Sequence, residues 1–352
     1  MVDENKMKWV RIWLIAGLVM IAIQIFLGGI TRLTGSGLSI TKWDIVTGTV
    51  YPLSEDAWNH HFELYKQTPQ YQKINQGMSL DDFKFIFFWE YFHRLWARFM
   101  GFVFFIPFFY FFSKGYLSRR LIFDLIIVVL LAGFVASLGW IMVASGLTDR
   151  PWVNAYKLSF HLMAAVGLLS WLLWVIWKTG SFELRHYAKP GPLLRSTFYM
   201  LTFLLVIQLF LGGVVAGMKA AVVAPTWPDM NGQYFPDELF RMEGLSPYVF
   251  GEYEVNSGPG IIMQFFHRSL AYIIFLLSLV ALFGSFRLGH LQVFRNTFVI
   301  FILVVMQIML GVITLLGSYG GIPVWSGVAH QFCGVLLFCV CLYNLFGIRK
   351  TI

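Results

Sequence analysis

The chain has 352 residues, 58% hydrophobic and 12% charged, far from the roughly 25% charged residues of a water-soluble domain. A soluble globular protein is excluded. The net charge of +8 is spread over short connections between apolar runs, so membrane topology accounts for it and a nucleic-acid partner does not.

Apolar runs long enough to cross roughly 30 Å of hydrocarbon lie near 9–31, 84–112, 121–146, 156–177, 197–218, 260–285, 297–317 and 325–347. The first follows Lys6, Lys8 and Arg11 in the manner of a signal peptide. It is too long for one and lacks a small-residue cleavage site, so it is read as a retained span. Pro107 lies inside the second run, where a neighbouring helix can satisfy the freed carbonyl; a kink is expected there and not an end. The connections near 113–120, 178–196 and 286–296 are short and basic, like both chain ends, which predicts that both termini are cytoplasmic. On the other side two long segments, near 32–83 and 219–259, are rich in Gly, Pro, Trp and Asp and long enough to fold over the membrane surface. Trp43-Asp44 and Trp227-Pro228-Asp229 occupy similar places in them, as lid elements or as interfacial anchors. The stretch from Asn59 to Gln76 carries no recognisable role. Cys333, Cys339 and Cys341 all fall in the last run and read as small core residues.

The chain repeats itself. Ile23-Gln-Ile-Phe-Leu-Gly-Gly29 recurs as Ile207-Gln-Leu-Phe-Leu-Gly-Gly213, Glu90-Tyr-Phe-His-Arg94 as Gln264-Phe-Phe-His-Arg268, and His161 of the fourth run corresponds to His330 of the eighth. The expected fold is therefore an all-α polytopic membrane protein whose eight transmembrane helices form two parallel-repeat four-helix bundles, residues 1–180 and 181–352. An even number of spans per unit inserts both copies in one orientation. His93, His161, His267 and His330 then lie at one depth, on the order of 9 to 14 Å from the outer surface.

A histidine inside a membrane helix is costly and is a functional-site candidate. Paired as His93 with His161 and His267 with His330, the four can ligate haem iron from facing helices. A zinc site would want four convergent ligands. Glu90 stands one turn before His93, and its counterpart is Gln264. Only the carboxylate can exchange a proton or stabilise positive charge, which assigns chemistry to the N-terminal half and electron transfer to the C-terminal half. A salt bridge from Glu90 to Arg94 or Arg98 is the structural alternative. Arg94 and Arg268 are candidate partners for haem propionates, with interfacial snorkelling the alternative. Gly28, Gly29, Gly212 and Gly213 are read as points of close helix approach, and His60, His61, His186 and His290 as solvated loop residues.

The motifs Gly28-Gly-Ile-Thr-Arg-Leu-Thr-Gly-Ser-Gly37, Glu90-Tyr-Phe-His-Arg94, Tyr156-Lys-Leu-Ser-Phe-His161, Phe266-His-Arg268 and His330-Gln331 together resemble the haem A synthase family, over nearly the whole chain. The resemblance implies oxidation of the C8 methyl group of haem O, a farnesylated porphyrin, to the formyl group of haem A by successive hydroxylations, for use in cytochrome oxidase. It implies haem b on His267 and His330, haem O as substrate between His93 and His161, and Glu90 as the catalytic group. It also implies a bacterial inner-membrane location, haem O synthase as a neighbour in the pathway, and an electron partner the sequence does not identify. A homo-oligomer is compatible with the sequence. Some members carry a cysteine pair in the first outer loop; this chain has none there, so no mechanism through such a pair applies. Bis-histidine ligation alone also suits a di-haem cytochrome b electron carrier, and a haem transporter ranks behind both.

Overall fold

The computed structural model describes residues 4–42, 49–148, 150–180, 190–241 and 246–350. These are helical throughout apart from turns and isolated bridges. Eight helices are long and apolar enough to cross a membrane: α1 (Glu4–Leu33), α4 (Leu80–Ser113), α5 (Arg119–Ala144), α6 (Ala155–Thr179), α7 (Pro192–Gly217), α10 (Gly258–Leu288), α11 (Leu291–Leu316) and α12 (Val324–Lys350). Short helices fill the long connections: α2 (Glu55–Lys66), α3 (Pro69–Lys73), α8 (Ala220–Val223) and α9 (Pro247–Gly251). The chain separates into two compact units, Met1–Ser181 and Phe182–Ile352.

Side-chain oxygens at helix starts satisfy amide groups that have no intrahelical partner. Ser79 caps α4, Ser118 caps α5 and Asn154 caps α6. His290 caps α11 through the Val293 N–H, so it has a structural task beyond the solvated one expected of it. His186, Trp43 and Asp44 lie outside the described residues. Helix α1 ends in a left-handed turn: Gly35 takes φ +70° and the Ser36 N–H donates to Thr31 O, a glycine C-cap.

Pro107 does not end α4, which runs through it for another turn and a half. Proline removes the donor that Val103 O would have received. The indole Nε1–H of Trp13 in α1 donates to that oxygen at 2.9 Å. A second indole, Trp96, reaches back from α4 to Met20 O of α1 at 3.0 Å, so the two helices are tied at both levels.

The two units close differently. In the second, α7 packs on α10 and α12, and α11 packs on both α10 and α12, completing a ring of four. In the first, α1 packs on α4 and α6, and α6 on α5, but α4 and α5 are not among the closely packed pairs. That unit has an open seam.

The Asn59 to Gln76 stretch folds as α2 and α3. Trp58, Phe62 and Tyr65 are buried against Phe83, Ile86 and Phe87 of α4, with the Phe62 and Tyr65 rings stacked on Phe83 at 5.0 and 5.2 Å. The Tyr65 hydroxyl donates to Gln70 Oε1 and accepts from Asn75, and Gln70 Nε2 donates to Gly35 O at the end of α1. This cap therefore anchors the chain segment leaving α1.

Burial pushes the Tyr65 hydroxyl from 10.0 up to about 12. Its folded value lies above its unfolded one, so its contribution to stability is complete below pH 10 and is lost as pH rises through 12. Deuterium uptake over residues 55–79 should therefore rise in that alkaline window. Tyr65→Phe, which leaves Gln70 and Asn75 without their shared partner, should weaken the cap by about 1–2 kcal/mol at neutral pH and abolish the alkaline step. An unchanged alkaline step in the variant would assign it to another group.

Candidate functional site

Each of the four span histidines lies against a glycine of a neighbouring helix. A Cβ added at Gly28 would stand 3.3 Å from His93 Nε2, and one at Gly212 would stand 3.2 Å from His267 Cε1. Likewise a Cβ at Gly139 would meet His161 Cε1 at 2.9 Å, and one at Gly311 would meet His330 Cε1 at 3.0 Å. Gly28 and Gly212 thus do permit close approach, and what approaches is an imidazole. Gly139 and Gly311 escaped the sequence reading, although the Leu-Gly pairs at 138–139 and 310–311 recur in the repeat and could have shown them.

The tautomers are fixed by backbone oxygens. His161 Nδ1 lies 3.0 Å from Val135 O, and His330 Nδ1 lies 3.0 Å from Gln307 O. A carbonyl only accepts, so Nδ1 carries the hydrogen and Nε2 is the ring's acceptor, which in His330 faces the Gln307 amide nitrogen at 3.4 Å. Span glutamines, also missed, tie the helices together at the same level. Gln24 Nε2 donates to His93 O at 3.2 Å, Gln208 Nε2 to His267 O at 3.0 Å and Gln307 Nε2 to His330 O at 2.8 Å. Gln24 and Gln208 sit inside the repeated Ile-Gln motif, where a polar residue in an apolar run was the available signal. Position 135, equivalent to Gln307, is Val, so His161 is held by one fewer side chain than His330.

The residues fit a ligated porphyrin. The His267 and His330 rings are 6.3 Å apart at an interplanar angle of 75°. Two imidazoles on opposite sides of one metal, with bonds of about 2 Å, hold their ring centres on the order of 6 Å apart. Arg268 Nε is buried without a partner, a donor that a propionate carboxylate could satisfy. Among the described residues no group of three or more His, Cys, Asp and Glu converges as a metal cage would require.

Glu90 and Gln264 are both 3% exposed, but their surroundings differ. Glu90 Oε2 accepts from the Ser39 hydroxyl at 2.7 Å and the Ile40 N–H at 2.9 Å, while Oε1 pairs with Arg94. The salt bridge to Arg94 is therefore present. Arg94 also donates to Ile40 O and Lys42 O. Carboxylate, guanidinium and the 39–42 segment form one clamp, steadied by the α2–α3 cap. Gln264 donates to Ala220 O alone, and its amide oxygen has no partner. Arg268 donates to Asp229 O and Ala224 O. Both arginines are thus seen on loop carbonyls beside their histidines.

Asp229 of the Trp227-Pro228-Asp229 segment accepts from the Gly232 N–H and the Thr226 hydroxyl, which hold its carboxyl below the usual range. The turn it organises presents the carbonyl that Arg268 uses. Trp227 donates to the Tyr272 hydroxyl at 3.1 Å. Above Arg94 a cavity of about 260 Å³ is lined by Lys42, His60, His61 and Arg98 among others. His61 is half-buried against Phe87, at 5.3 Å, and only His60 is exposed as expected.

The family profile described as "COX15-CtaA: Cytochrome oxidase assembly protein" matches residues 11–342. A haem A synthase of Paramagnetospirillum magneticum is 38% identical over 97% of this chain and 94% of its own length. One of Flavobacterium johnsoniae is 39% identical over 99% of this chain and 100% of its own, and one of Methylobacterium radiotolerans is 40% identical over 93% and 87%. With the match spanning every membrane helix, both histidine pairs and Glu90, the chain belongs to the COX15-CtaA family of cytochrome oxidase assembly proteins.

Proposed function

We propose that this protein is a haem A synthase, an oxidoreductase that converts the C8 methyl group of haem O to the formyl group of haem A by successive hydroxylations. The observation that carries this reading is end-to-end similarity to haem A synthases together with two histidine pairs on unequal backgrounds. In it the unit of residues 1–180 takes the substrate and the unit of residues 181–352 holds haem b.

His267 and His330 would hold the haem b, which when bound supplies one-electron redox chemistry to the site. Their helices form a closed ring, and Gln208 and Gln307 fix both histidines, as suits a group that stays. His93 and His161 would position the substrate porphyrin in the unit whose α4–α5 seam is open, as suits a molecule that comes and goes. Glu90 lies one turn from His93 on the same helix. Held by Ser39, Ile40 and Arg94, its carboxylate is aimed and water-poor, so it can accept a proton released on oxidation at the methyl carbon, or stabilise positive charge there, with little reorganisation. Arg94 and Arg268 stand where a guanidinium can exchange a loop carbonyl for a haem propionate. Charge distribution supports an inner-membrane orientation with both termini cytoplasmic, where haem O synthase would deliver the substrate and a separate electron partner would complete turnover.

Co-expression with a source of haem O, followed by pigment extraction, tests the activity. New haem A is expected; recovery of haem O unchanged would leave a di-haem electron carrier as the better description. Glu90→Gln retains an acceptor for Ser39 and Ile40 but cannot titrate. It should lower haem A formation by about 10²–10⁴-fold while haem O or its hydroxylated form accumulates, and normal haem A yield would remove Glu90 from the chemistry. The pairs should separate spectroscopically. His267→Ala should lose the haem b absorbance of the purified protein, and His93→Ala should keep it while forming no haem A; equal losses in two variants of wild-type thermal stability would refute the division of roles.

A further inference from the structure

On the side of the His93 and His161 pair away from the long connections, the first unit contains a cavity of about 360 Å³ that neither histidine lines. It begins one turn beyond His93 at Ala97 and follows α4 to Phe105, between α1, α5 and α6. None of its lining side chains is ionisable, and its one polar side-chain group, the Trp13 indole N–H, is already bonded to Val103 O. The Trp13 and Phe104 rings, 5.3 Å apart, form its floor. This space suits hydrocarbon and nothing hydrated.

The second unit serves as an internal control. When the repeats are aligned on their Ile-Gln motifs, histidines and Leu-Gly pairs, Gly17, Gly101 and Gly133 of the cavity wall correspond to Leu201, Phe275 and Val305, and Val129 corresponds to Phe301. Phe275 and Phe301 touch, with ring centres 5.9 Å apart. They lie on α10 and α11, the two helices that pack in the second unit where α4 and α5 do not in the first. The glycines are not there for helix packing. A Cβ at Gly101 or Gly133 would meet nothing within 4 Å, and one at Gly17 would make only an ordinary contact at 3.7 Å to Leu172. Glycine weakens a helix relative to alanine, so Gly101 and Gly133, on the two helices that flank the seam and facing open space, indicate a wall kept back for an occupant.

We propose that this cavity seats the farnesyl tail of haem O and is what distinguishes that substrate from protohaem, which has the same macrocycle without the tail. The proposal rests on the reading of the first unit as the substrate site. A porphyrin between His93 and His161 would stand at the cavity's mouth, and a long apolar substituent directed down α4 would enter a space of matching polarity. The open α4–α5 seam gives that tail a lateral path from the bilayer, so it need not cross the polar connections.

The test is a Soret titration of the full-length protein, isolated with its haem b, with haem O and with protohaem. Wild type should bind haem O about tenfold or more tightly than protohaem, the worth of a few buried methylenes, with a spectral change that His93→Ala removes. Gly101→Phe, which installs the second unit's residue, should weaken haem O about tenfold and leave protohaem within about twofold. Gly133→Val is the smaller change should the first variant prove unstable, and it should act in the same direction. Equal weakening of the two porphyrins, unchanged haem O affinity, or release of a co-purified phospholipid by Gly101→Phe with haem O binding intact would each overturn the tail assignment. Haem O binding to wild type that does not depend on His93 would instead overturn the substrate-site reading itself.

Discussion

Everything at the site depends on an imidazole lying so close to a neighbouring helix that a Cβ beneath it would stand within about 3.3 Å of the ring. Four helix pairs meet in this way, at Gly28, Gly139, Gly212 and Gly311. The missing side chain brings the two backbones close, and closeness lets a carbonyl of one helix receive the Nδ1–H of a histidine on the other, as His161 does with Val135 and His330 with Gln307. Ring direction, tautomer and interhelical distance are thereby settled together. Any Cβ at Gly139 or Gly311 would fall at or inside 3.0 Å of the ring, so either the ring or the helix would have to shift, and the lone pair on Nε2 would turn with a displaced imidazole.

Given that shared framework, the differences between the units carry the functional information. One has a ring of four packed helices, glutamine on two histidines and an amide at position 264. The other has a carboxylate at position 90, one glutamine, an open seam and an apolar cavity below it. Enclosure slows exchange, and the glutamine bonds to the backbone at His267 and His330 hold those helices in place. Access and a titratable group suit turnover. Packing and chemistry thus differ between the halves at the same equivalent positions, and the proposed division of roles rests on both.

Much of this was legible in the chain itself. The eight spans follow from length and hydropathy alone, and the histidines announce themselves because an imidazole in a hydrocarbon-spanning helix is hard to explain otherwise. Duplication made the Glu90 and Gln264 contrast visible. What could not be read is what depends on three-dimensional closeness. Nothing in the stretch from Asn59 to Gln76 reveals that its aromatic side chains will cover α4, or that Gln70 will reach Gly35. Nor does composition tell a glycine that seats a ring, such as Gly139, from one that faces open space, such as Gly133. His290 read as solvated because helix capping is a property of a boundary known only once the helix is placed.

The clamp around Glu90 shows why the outer connections belong to the site. A carboxylate withdrawn from water beside a single guanidinium would leave lone pairs unsatisfied, and its desolvation would outweigh the attraction. Here the Ser39 hydroxyl and Ile40 N–H take the second oxygen, while Ile40 O and Lys42 O take two further donors of Arg94. Those groups come from a segment with no regular structure of its own. It is held at one end by the glycine cap of α1, and Gln70 secures that cap from α3. A short helix some twenty residues earlier in sequence thus helps to fix the turn that feeds the clamp at position 90. A carboxylate with both oxygens bonded is held in one orientation, and a fixed orientation is what the proposed role of Glu90, stabilising charge at one point in a low-dielectric site, would require.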